Sequence, residues 1–343
     1  MQEDRAVRLL GGQRVDRTPL FPFILGFCAR NAGYPVATIY RDARKSFELQ
    51  SWTHEQYGFD WGPLYGYASY GTWEFGGEIK MPEGREQAPS HTRFPVQSEE
   101  GVDALTLPDA ETAGSLPVSM EFSRLQAAAG KPVSVVCAGN FTMAGNIAPV
   151  ASLCRWMLKK PALAHRLMRL ATDHIVEVVG RWCEAFGADR VIPQMWEPLT
   201  ANTIISPGQF ERFVLPYLVE SSDKMLAMGV RHLLYHICGD QNKNLPLWAR
   251  VPTGDPGLCS FGAEVDLIDA IRHLGARNVI IGNIDPQVFL TEAPGRIYEL
   301  CRIAIDKGRA APRGFMLSSG CEIPPDAPPY HVYMMQKAAR DSA

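Results

Sequence analysis

The feature that most constrains the fold is a repeated pattern of a short apolar run, a loop and a segment with helical periodicity. The apolar runs are continuous rather than alternating, which is typical of parallel strands buried on both faces. The predicted strands are Pro19–Leu25, Phe59–Tyr65, Val133–Cys137, Arg190–Met195, His232–His236, Leu258–Phe261, Val279–Ile281 and Phe315–Ser318. Strands alternating with helices in this number predict an α/β fold, a single (β/α)8 TIM barrel.

Helix signals between the later strands support this interpretation. The predicted helices are Ser206–Met228, Leu267–Leu274 and Ala293–Lys307. Ser206 is the expected N-cap of the first helix and Pro207 its first helical residue. Gly275 and Gly308 are expected to close the other two helices. An open doubly wound sheet is the competing architecture, but it needs a Gly-rich phosphate loop after an early strand, and the sequence contains none.

We expect one domain over residues 1–343, with an insertion after the second strand at about residues 66–108. This stretch is rich in glycine, proline and aromatic residues. Its most individual feature is an aromatic cluster formed by Tyr65, Tyr67, Tyr70, Trp73 and Phe75. The cluster either lines a pocket for an aromatic methyl donor or forms a small core of the insertion. The alternating pattern from residue 71 to residue 76 also fits a hairpin with one packed face, so we favour the core.

Charge and composition exclude several classes of function. The 343 residues include 34 basic and 37 acidic side chains, with a net charge of −3 and no basic run, which argues against nucleic acid and anionic membranes as partners. Apolar runs such as Val133–Cys137 are far shorter than the ~20 residues of a membrane span. The charged opening Met1–Arg5 predicts no signal peptide and hence a cytoplasmic protein, in which the eight cysteines are expected to be reduced.

The strongest chemical signal is a His-x-Cys pair at the end of a predicted strand. His236 and Cys238 point to the same side of an extended backbone, so both can reach one ion. Cys321 follows another predicted strand, and the carboxyl ends of barrel strands meet at the catalytic face. Two sulfurs and an imidazole suit zinc, and three protein ligands leave one position open. The alternative is a packed cysteine beside a histidine with ordinary hydrogen bonds.

Three polar residues near this face are further candidates. Glu197 ends another predicted strand and is the candidate fourth ligand or a carboxylate outside the ligand shell, the alternative being a solvated loop residue. Asn283 is expected to line the pocket, and we name both as catalytic candidates. Asp240 either holds His236 in one tautomer or forms a turn, and the turn is favoured.

Several segments together resemble the uroporphyrinogen decarboxylase superfamily, in the branch of zinc-containing, corrinoid-dependent methyltransferases that includes the methylcobamide:coenzyme M methyltransferases. The segments that carry the resemblance are Arg8–Pro19, Gly139–Gly145, Ile205–Phe210, Gly282–Pro286, His236-x-Cys238 and Gly320-Cys321-x-Ile323-Pro324-Pro325. The sequence departs from true decarboxylases at two places. Cys28–Tyr34 keeps only part of their Arg-Gln-Ala-Gly-Arg signature, and Leu64–Tyr70 lacks the carboxylate that binds pyrrole N–H groups. Unpaired pyrrole donors in a buried site are costly, so porphyrinogen decarboxylation is disfavoured.

The resemblance implies a zinc-dependent methyltransferase that moves a methyl group between a corrinoid protein and a thiol or methyl-ether substrate bound at the zinc. The sequence has no Asp-x-His-x-x-Gly segment, so the corrinoid is expected from a separate partner. The partner is expected to dock on the loops after Met195, His236, Ile281 and Ser318, with Glu322 exposed there. Two alternatives stay open: a decarboxylase-like enzyme, and a non-catalytic scaffold stabilised by zinc.

Overall fold

Six parallel strands in consecutive order form the centre of the fold, and two further strands pair as an antiparallel hairpin. The structure is a computed structural model that describes residues 5–343. The strands are β1 (Glu78–Lys80), β2 (Ser90–Arg93), β3 (Val133–Ala138), β4 (Val191–Trp196), β5 (Leu234–Ile237), β6 (Gly257–Phe261), β7 (Asn278–Ile284) and β8 (Phe315–Ser319).

Helices separate the central strands along the chain. They are α1 (Arg5–Leu10), α2 (Leu25–Asn31), α3 (Thr38–Arg41), α4 (Ala43–Tyr57), α5 (Glu99–Ala104), α6 (Leu116–Ala128), α7 (Asn140–Ile147), α8 (Val150–Lys159), α9 (Pro161–Phe186), α10 (Pro207–Gln209), α11 (Leu215–Ala227), α12 (Leu245–Trp248), α13 (Leu267–Leu274), α14 (Val288–Thr291), α15 (Pro294–Gly308) and α16 (Pro329–Arg340). A π-helical turn, Phe210–Val214, joins α10 to α11. Short 3-10 turns lie at Ala188–Arg190, Pro198–Thr200 and Asn242–Asn244.

The strands from β3 to β8 confirm six of the eight predicted strands within a few residues. Each pairs in parallel with the next one along the chain. Residues on both faces of these strands are buried, apart from the half-buried Asn283 near the end of β7. This pattern explains why the apolar runs in the sequence are continuous. The fold is the predicted α/β barrel.

The first predicted strand, Pro19–Leu25, forms an extended segment without a regular ladder. Phe21 N donates to Leu317 O (2.9 Å), and Leu317 N donates to Pro19 O (2.9 Å), which places the segment beside β8. Pro19 and Pro22 have no N–H to donate, so a continuous ladder cannot form. The predicted end was also wrong, because Leu25 already begins α2.

The second predicted strand, residues 59–65, is likewise extended, and side chains take the place of ladder bonds. Asp60 N donates to Leu20 O (2.9 Å) in the first segment. The Gln50 side chain bonds both Leu64 N and Leu64 O at 2.9 Å. The Gln126 side chain reaches Pro63 O (2.7 Å) and accepts from the N–H of Ser134 in β3 (3.2 Å). These contacts continue the wall from β8 through both segments to β3.

The predicted helices are largely confirmed. Ser206 and Gln209 form a capping box at the start of α10, and the predicted helix continues through the π-helical turn into α11. The prediction for α13 is confirmed at both ends. Gly308 was predicted to follow the last helical residue, which was wrong, because it is itself the last residue of α15. A Cβ at this position would lie 2.3 Å from the Phe315 ring, so the glycine is needed for close packing of α15 on β8.

The aromatic cluster of the insertion packs into the core. Tyr65, Tyr67, Tyr70 and Phe75 are buried, whereas Trp73 is 37% exposed. The hairpin predicted from residue 71 to residue 76 was wrong: these residues form turns, and the hairpin of this segment is β1–β2. The turns wrap around the buried Glu74, whose carboxylate accepts hydrogen bonds from Tyr67 Oη, Gly71 N and Ser115 Oγ.

Among the described residues, no helix has the length and apolar character needed to cross a membrane. The opening residues Met1–Asp4, on which the expectation of no signal peptide largely depends, lie outside the described part of the chain.

Candidate metal centre

His236 lies near the end of β5, in the ladder between β4 and β6. Its partners in register are Trp196 on β4 and Ser260 on β6. The side chain is 4% exposed and contacts the Phe23 ring edge-on, with the ring centroids 4.9 Å apart. Nδ1 lies 3.1 Å from the Ser260 hydroxyl, whereas Nε2 is buried and has no hydrogen-bond partner among the described residues. A buried ring nitrogen without a partner is the first indication of a ligand.

The two cysteines come to His236 from different parts of the barrel. Cys238 directly follows the end of β5, so it shares the direction of His236. Cys321 lies in the loop after β8, and Gly320 N donates to Ile284 O (2.6 Å) just before it. A Cβ at Gly320 would lie 2.6 Å from Ala263 N, so only glycine lets this loop approach the loop after β6.

The three predicted ligands meet at one point. The ligand atoms of His236, Cys238 and Cys321 all lie within 4.8 Å of one another. A tetrahedral zinc with bonds of ~2.0–2.3 Å separates its ligand atoms by roughly 3.5–4 Å, so this group is close to the required geometry. The residues therefore fit a zinc ion by donor type and spacing.

The two thiols also interact with each other. The hydrogen bond with the Cys321 thiol lowers the pKa of Cys238, and the same bond together with burial raises the pKa of Cys321. Cys238 is thus the thiol that loses its proton first. Four of the other cysteines, Cys28, Cys137, Cys259 and Cys301, are fully buried, and burial raises the pKa of each. Such thiols behave as packed apolar groups.

Glu197 is buried beside the site, so the alternative of a solvated loop residue is wrong. Its carboxylate accepts from Phe141 N (3.1 Å), Thr142 N (2.7 Å) and Thr142 Oγ1 (2.7 Å) at the start of α7, and its own N–H donates to His236 O (2.9 Å). Burial raises the pKa of Glu197 to about 7. These contacts join β4, β5 and α7. A role as fourth ligand stays a prediction.

Asn283 holds the loop after β6. Its side-chain amide donates to Gly262 O (3.1 Å) and Val265 O (2.8 Å). Gly262 in turn packs so closely on the residue after Cys238 that a Cβ would lie 2.8 Å from Gly239 N. Asn283 therefore supports the backbone next to a predicted ligand, and its predicted place in the pocket lining stays a prediction.

Asp240 is a turn residue and does not contact the His236 ring. Its carboxylate accepts from Asn242 N (3.1 Å) and Asn242 Nδ2 (2.8 Å). Ser260 occupies the position beside Nδ1 instead, and sequence reasoning missed it. The only available signal was a serine inside the apolar run that becomes β6, and its meaning depends on the register between β5 and β6.

The expectation that Glu322 is exposed was wrong. It is 8% exposed, and its Oε1 accepts from Gly26 N (2.7 Å) in α2. Burial raises the pKa of this carboxyl group to about 8. Gln87 of the insertion donates to the backbone oxygen of Glu322 (2.8 Å). The loop that carries Cys321 is therefore tied to α2 and to the insertion, contacts that no local sequence pattern indicates.

Comparison with known families agrees with the fold and the motifs. The family model for uroporphyrinogen decarboxylase (URO-D) matches residues 1–342. The chain belongs to this family. This is the family that the motifs of the sequence resemble.

Both decarboxylases and methyltransferases are among the relatives of this chain. A uroporphyrinogen decarboxylase from Myxococcus xanthus is 27% identical over 268 residues, which cover 73% of this chain and 70% of that protein. A methylated-thiol–coenzyme M methyltransferase from Methanosarcina mazei is 31% identical over 211 residues, 60% of this chain and 54% of that protein. A methylcobamide:CoM methyltransferase from Methanosarcina barkeri is 26% identical and covers 78% and 75%.

Among solved structures, a methyltransferase from Methanosarcina mazei aligns with a TM-score of 0.82 and 22% identity, over 99% of this chain and 98% of that one. A B12-independent methionine synthase from Shewanella aligns with a TM-score of 0.59 and 12% identity. The second alignment covers 87% of this chain and 86% of that one. At these identities the likeness concerns the fold.

Proposed function

We propose that this protein is a zinc-dependent methyltransferase that moves a methyl group between a corrinoid protein and a thiol or O-methyl substrate bound at the zinc. The observation that carries the proposal is the buried, unpartnered Nε2 of His236 beside the thiols of Cys238 and Cys321. A set of three ligands from protein side chains is the arrangement of catalytic zinc, because the fourth position remains for the substrate.

The residues of the chain have separate tasks in this proposal. Bound zinc would lower the pKa of a coordinated thiol and orient its sulfur, which makes the sulfur a nucleophile at neutral pH. His236, Cys238 and Cys321 would hold the ion. The Phe23 and Trp196 rings, which pack against His236, keep bulk solvent away from the inner side of the site. The less polar surroundings strengthen the electrostatic interactions there.

The relatives support methyl transfer as the reaction class, because two of them carry methyltransferase names that mention a methylated thiol and a methylcobamide. Corrinoid chemistry at this site needs a second protein, since the sequence has no corrinoid-binding motif of its own. We infer that this partner docks at the carboxyl ends of the strands, where His236 and both cysteines lie.

A decarboxylase is the second candidate, and the match to the Myxococcus xanthus enzyme favours it. Against it stands the segment Leu64–Tyr70, which contains no carboxylate. Glu74 is the nearest carboxylate that follows this segment, and its hydrogen bonds to Tyr67, Gly71 and Ser115 commit it to the core.

The test combines metal analysis with an absorbance assay. The purified protein should contain about one zinc per chain, and a corrinoid protein in its methyl-cobalt or reduced state should change its spectrum when a substrate thiol or methyl ether is added. The panel of substrates should include simple thiols and aromatic methyl ethers. Uroporphyrinogen serves as the control substrate, and its turnover without any corrinoid reaction would refute the proposal.

Chelation separates this enzyme from a scaffold stabilised by zinc. Removal of the metal should abolish methyl transfer and shift the melting temperature by only a few degrees, because a barrel core of this size does not need one ion to fold. A structural site with four protein ligands would instead lose its fold with its metal.

A further inference from the structure

His236 can bind a metal through Nε2 only in one tautomer. A neutral imidazole carries one proton, and the nitrogen without the proton is the ligand. Nδ1 faces the Ser260 hydroxyl at 3.1 Å, and Nε2 faces the two cysteines. If Ser260 accepts from Nδ1–H, the lone pair of Nε2 is free. If Ser260 donates instead, the proton sits on Nε2 and blocks the metal.

The direction of this hydrogen bond depends on where the Ser260 proton goes. Ser260 is buried on β6, and a buried hydroxyl that accepts one bond must also place its own proton on an acceptor. The Oε1 of Gln194 is a buried acceptor without a partner among the described residues. Its Nε2 donates to Ser134 Oγ (2.9 Å), which holds the amide in place.

A small cavity connects these groups. Its lining residues are Phe21, Phe23, Leu64, Gln194, Trp196, Leu234, His236 and Ser260. The space open to the centre of a water-sized group is about 10 Å³, which is close to the minimum for one water molecule and too small for a substrate. The wall is apolar except at Gln194, His236 and Ser260, so a water there has defined partners.

We propose that Ser260 is a positioning residue for His236, and that one water molecule in this cavity links the Ser260 hydroxyl to Gln194. In this arrangement Ser260 donates to the water, and the water donates to Gln194 Oε1. The oxygen of Ser260 then accepts from Nδ1–H, so Nε2 keeps its lone pair for the metal. The inference rests on the proposed metal site, but it concerns the state of His236 before any metal binds.

The direct test uses the metal-free protein. Selective ¹⁵N labelling of histidine and NMR should show His236 protonated at Nδ1 in the wild type. In Ser260→Ala the Nδ1–H tautomer should lose its preference, and Ser260→Thr, which keeps the hydroxyl, should restore it. An unchanged tautomer in Ser260→Ala would overturn the proposal, and this readout needs neither zinc nor activity.

Metal affinity gives the second readout, by competition with a chromophoric chelator. Ser260→Ala should weaken zinc binding by ~10–100-fold, the usual effect of removing a partner of a ligating histidine. Ser222→Ala is the matched control. Ser222 lies on α11, and its buried hydroxyl bonds Tyr235, which precedes His236 on β5. Its affinity should equal that of the wild type. Equal affinity of Ser260→Ala and the wild type would overturn the positioning role.

Gln194→Leu tests the water link separately. It removes the final acceptor and should give a smaller change in the same direction in both readouts. If both the tautomer and the zinc affinity of Gln194→Leu equal those of the wild type, the link through water is overturned. A wild-type protein that binds no zinc at all would refute the proposed function, while the NMR experiment would still decide whether Ser260 fixes the tautomer.

Discussion

The two halves of the candidate metal centre are held in different ways. His236 and Cys238 form the strand half: they lie at the end of β5, where backbone bonds such as Glu197 N to His236 O (2.9 Å) and Gly262 N to Ile237 O (3.1 Å) connect them to both neighbours. Cys321 forms the loop half. It follows β8, and its loop depends on contacts from α2 and the insertion.

This difference indicates which half of the site is more easily disturbed by substitutions. The backbone of the strand half is placed by sheet register. The loop half relies on the buried Glu322 and on Gln87, together with the bond from Ile323 N to Phe23 O (2.8 Å). We therefore expect changes far from the metal to affect the loop half first.

Removal of a ligand should have the largest effect, and it should be equal for both halves. Cys238→Ala and Cys321→Ala should each lose most of the zinc and the activity, because two remaining ligands bind an ion weakly, while both variants stay folded. Zinc content and circular dichroism provide the measurements. Cys301→Ala, a change at a fully buried thiol in α15, is the control and should keep its metal. Full zinc and full turnover in Cys321→Ala would disprove the three-ligand model.

The second prediction concerns a substitution that disturbs the loop half but leaves all three predicted ligands unchanged. Glu322→Ala leaves the N–H of Gly26 buried without an acceptor, which should cost about 1–3 kcal/mol of unfolding free energy and weaken zinc binding. Urea unfolding and chelator competition measure the two effects. Glu322→Gln keeps an acceptor oxygen and should recover most of both. If zinc affinity stays unchanged in Glu322→Ala, the loop half does not depend on this contact.

A pH-dependent contribution to stability is expected from a histidine that belongs to neither half. Burial lowers the pKa of His174 from 6.5 to about 4. The neutral ring therefore contributes stability that is complete above pH 6.5 and is lost as the pH falls through 4, with a slope of up to ~1.4 kcal/mol per pH unit. The raised pKa values of Glu197 and Glu322 act in the opposite direction, so the variant is compared with the wild type. In urea unfolding between pH 7 and pH 5, the stability of His174→Gln relative to the wild type should rise as the pH falls. The exposed His273→Gln serves as control, and equal slopes in both variants would contradict the assignment.

The smallest effect is expected from Gln87→Ala, which removes one half-buried hydrogen bond to the loop half. The free energy of unfolding should fall by about 0.5–1.5 kcal/mol. Hydrogen exchange should speed up in residues 320–326 and stay unchanged in β5. The exposed Gln97→Ala in the same insertion is the control. Faster exchange in both halves would show that they form one cooperative unit.

The sequence predicted those parts of the fold that depend on neighbouring residues. The strands from β3 to β8 are recognisable because their apolar runs are continuous. The first two segments carry Pro19, Pro22 and Pro63. The side chains that bond the second segment, Gln50 and Gln126, lie on helices. No local pattern reveals such bonds, so the irregular part of the wall could not be predicted.

The same distinction holds in the candidate metal centre. His236 and Cys238 were predictable from a period of two, and Cys321 from the rule that parallel strands end at one face. Ser260 depends on the register of two strands, and the burial of Glu322 depends on α2 and the insertion. Asp240 is close to His236 in sequence but has a different role, because its carboxylate accepts hydrogen bonds from Asn242 in a turn.

The separation of Cys238 from Cys321 along the chain has a consequence for the order of assembly. Three strands, β6, β7 and β8, with their helices lie between the two cysteines. The full ligand set therefore exists only after β8 has joined the sheet, and an ion that needs all three ligands stabilises only that last state by mass action. Metal binding would then follow the last step of folding and would not initiate folding, in contrast to small domains that fold around their zinc.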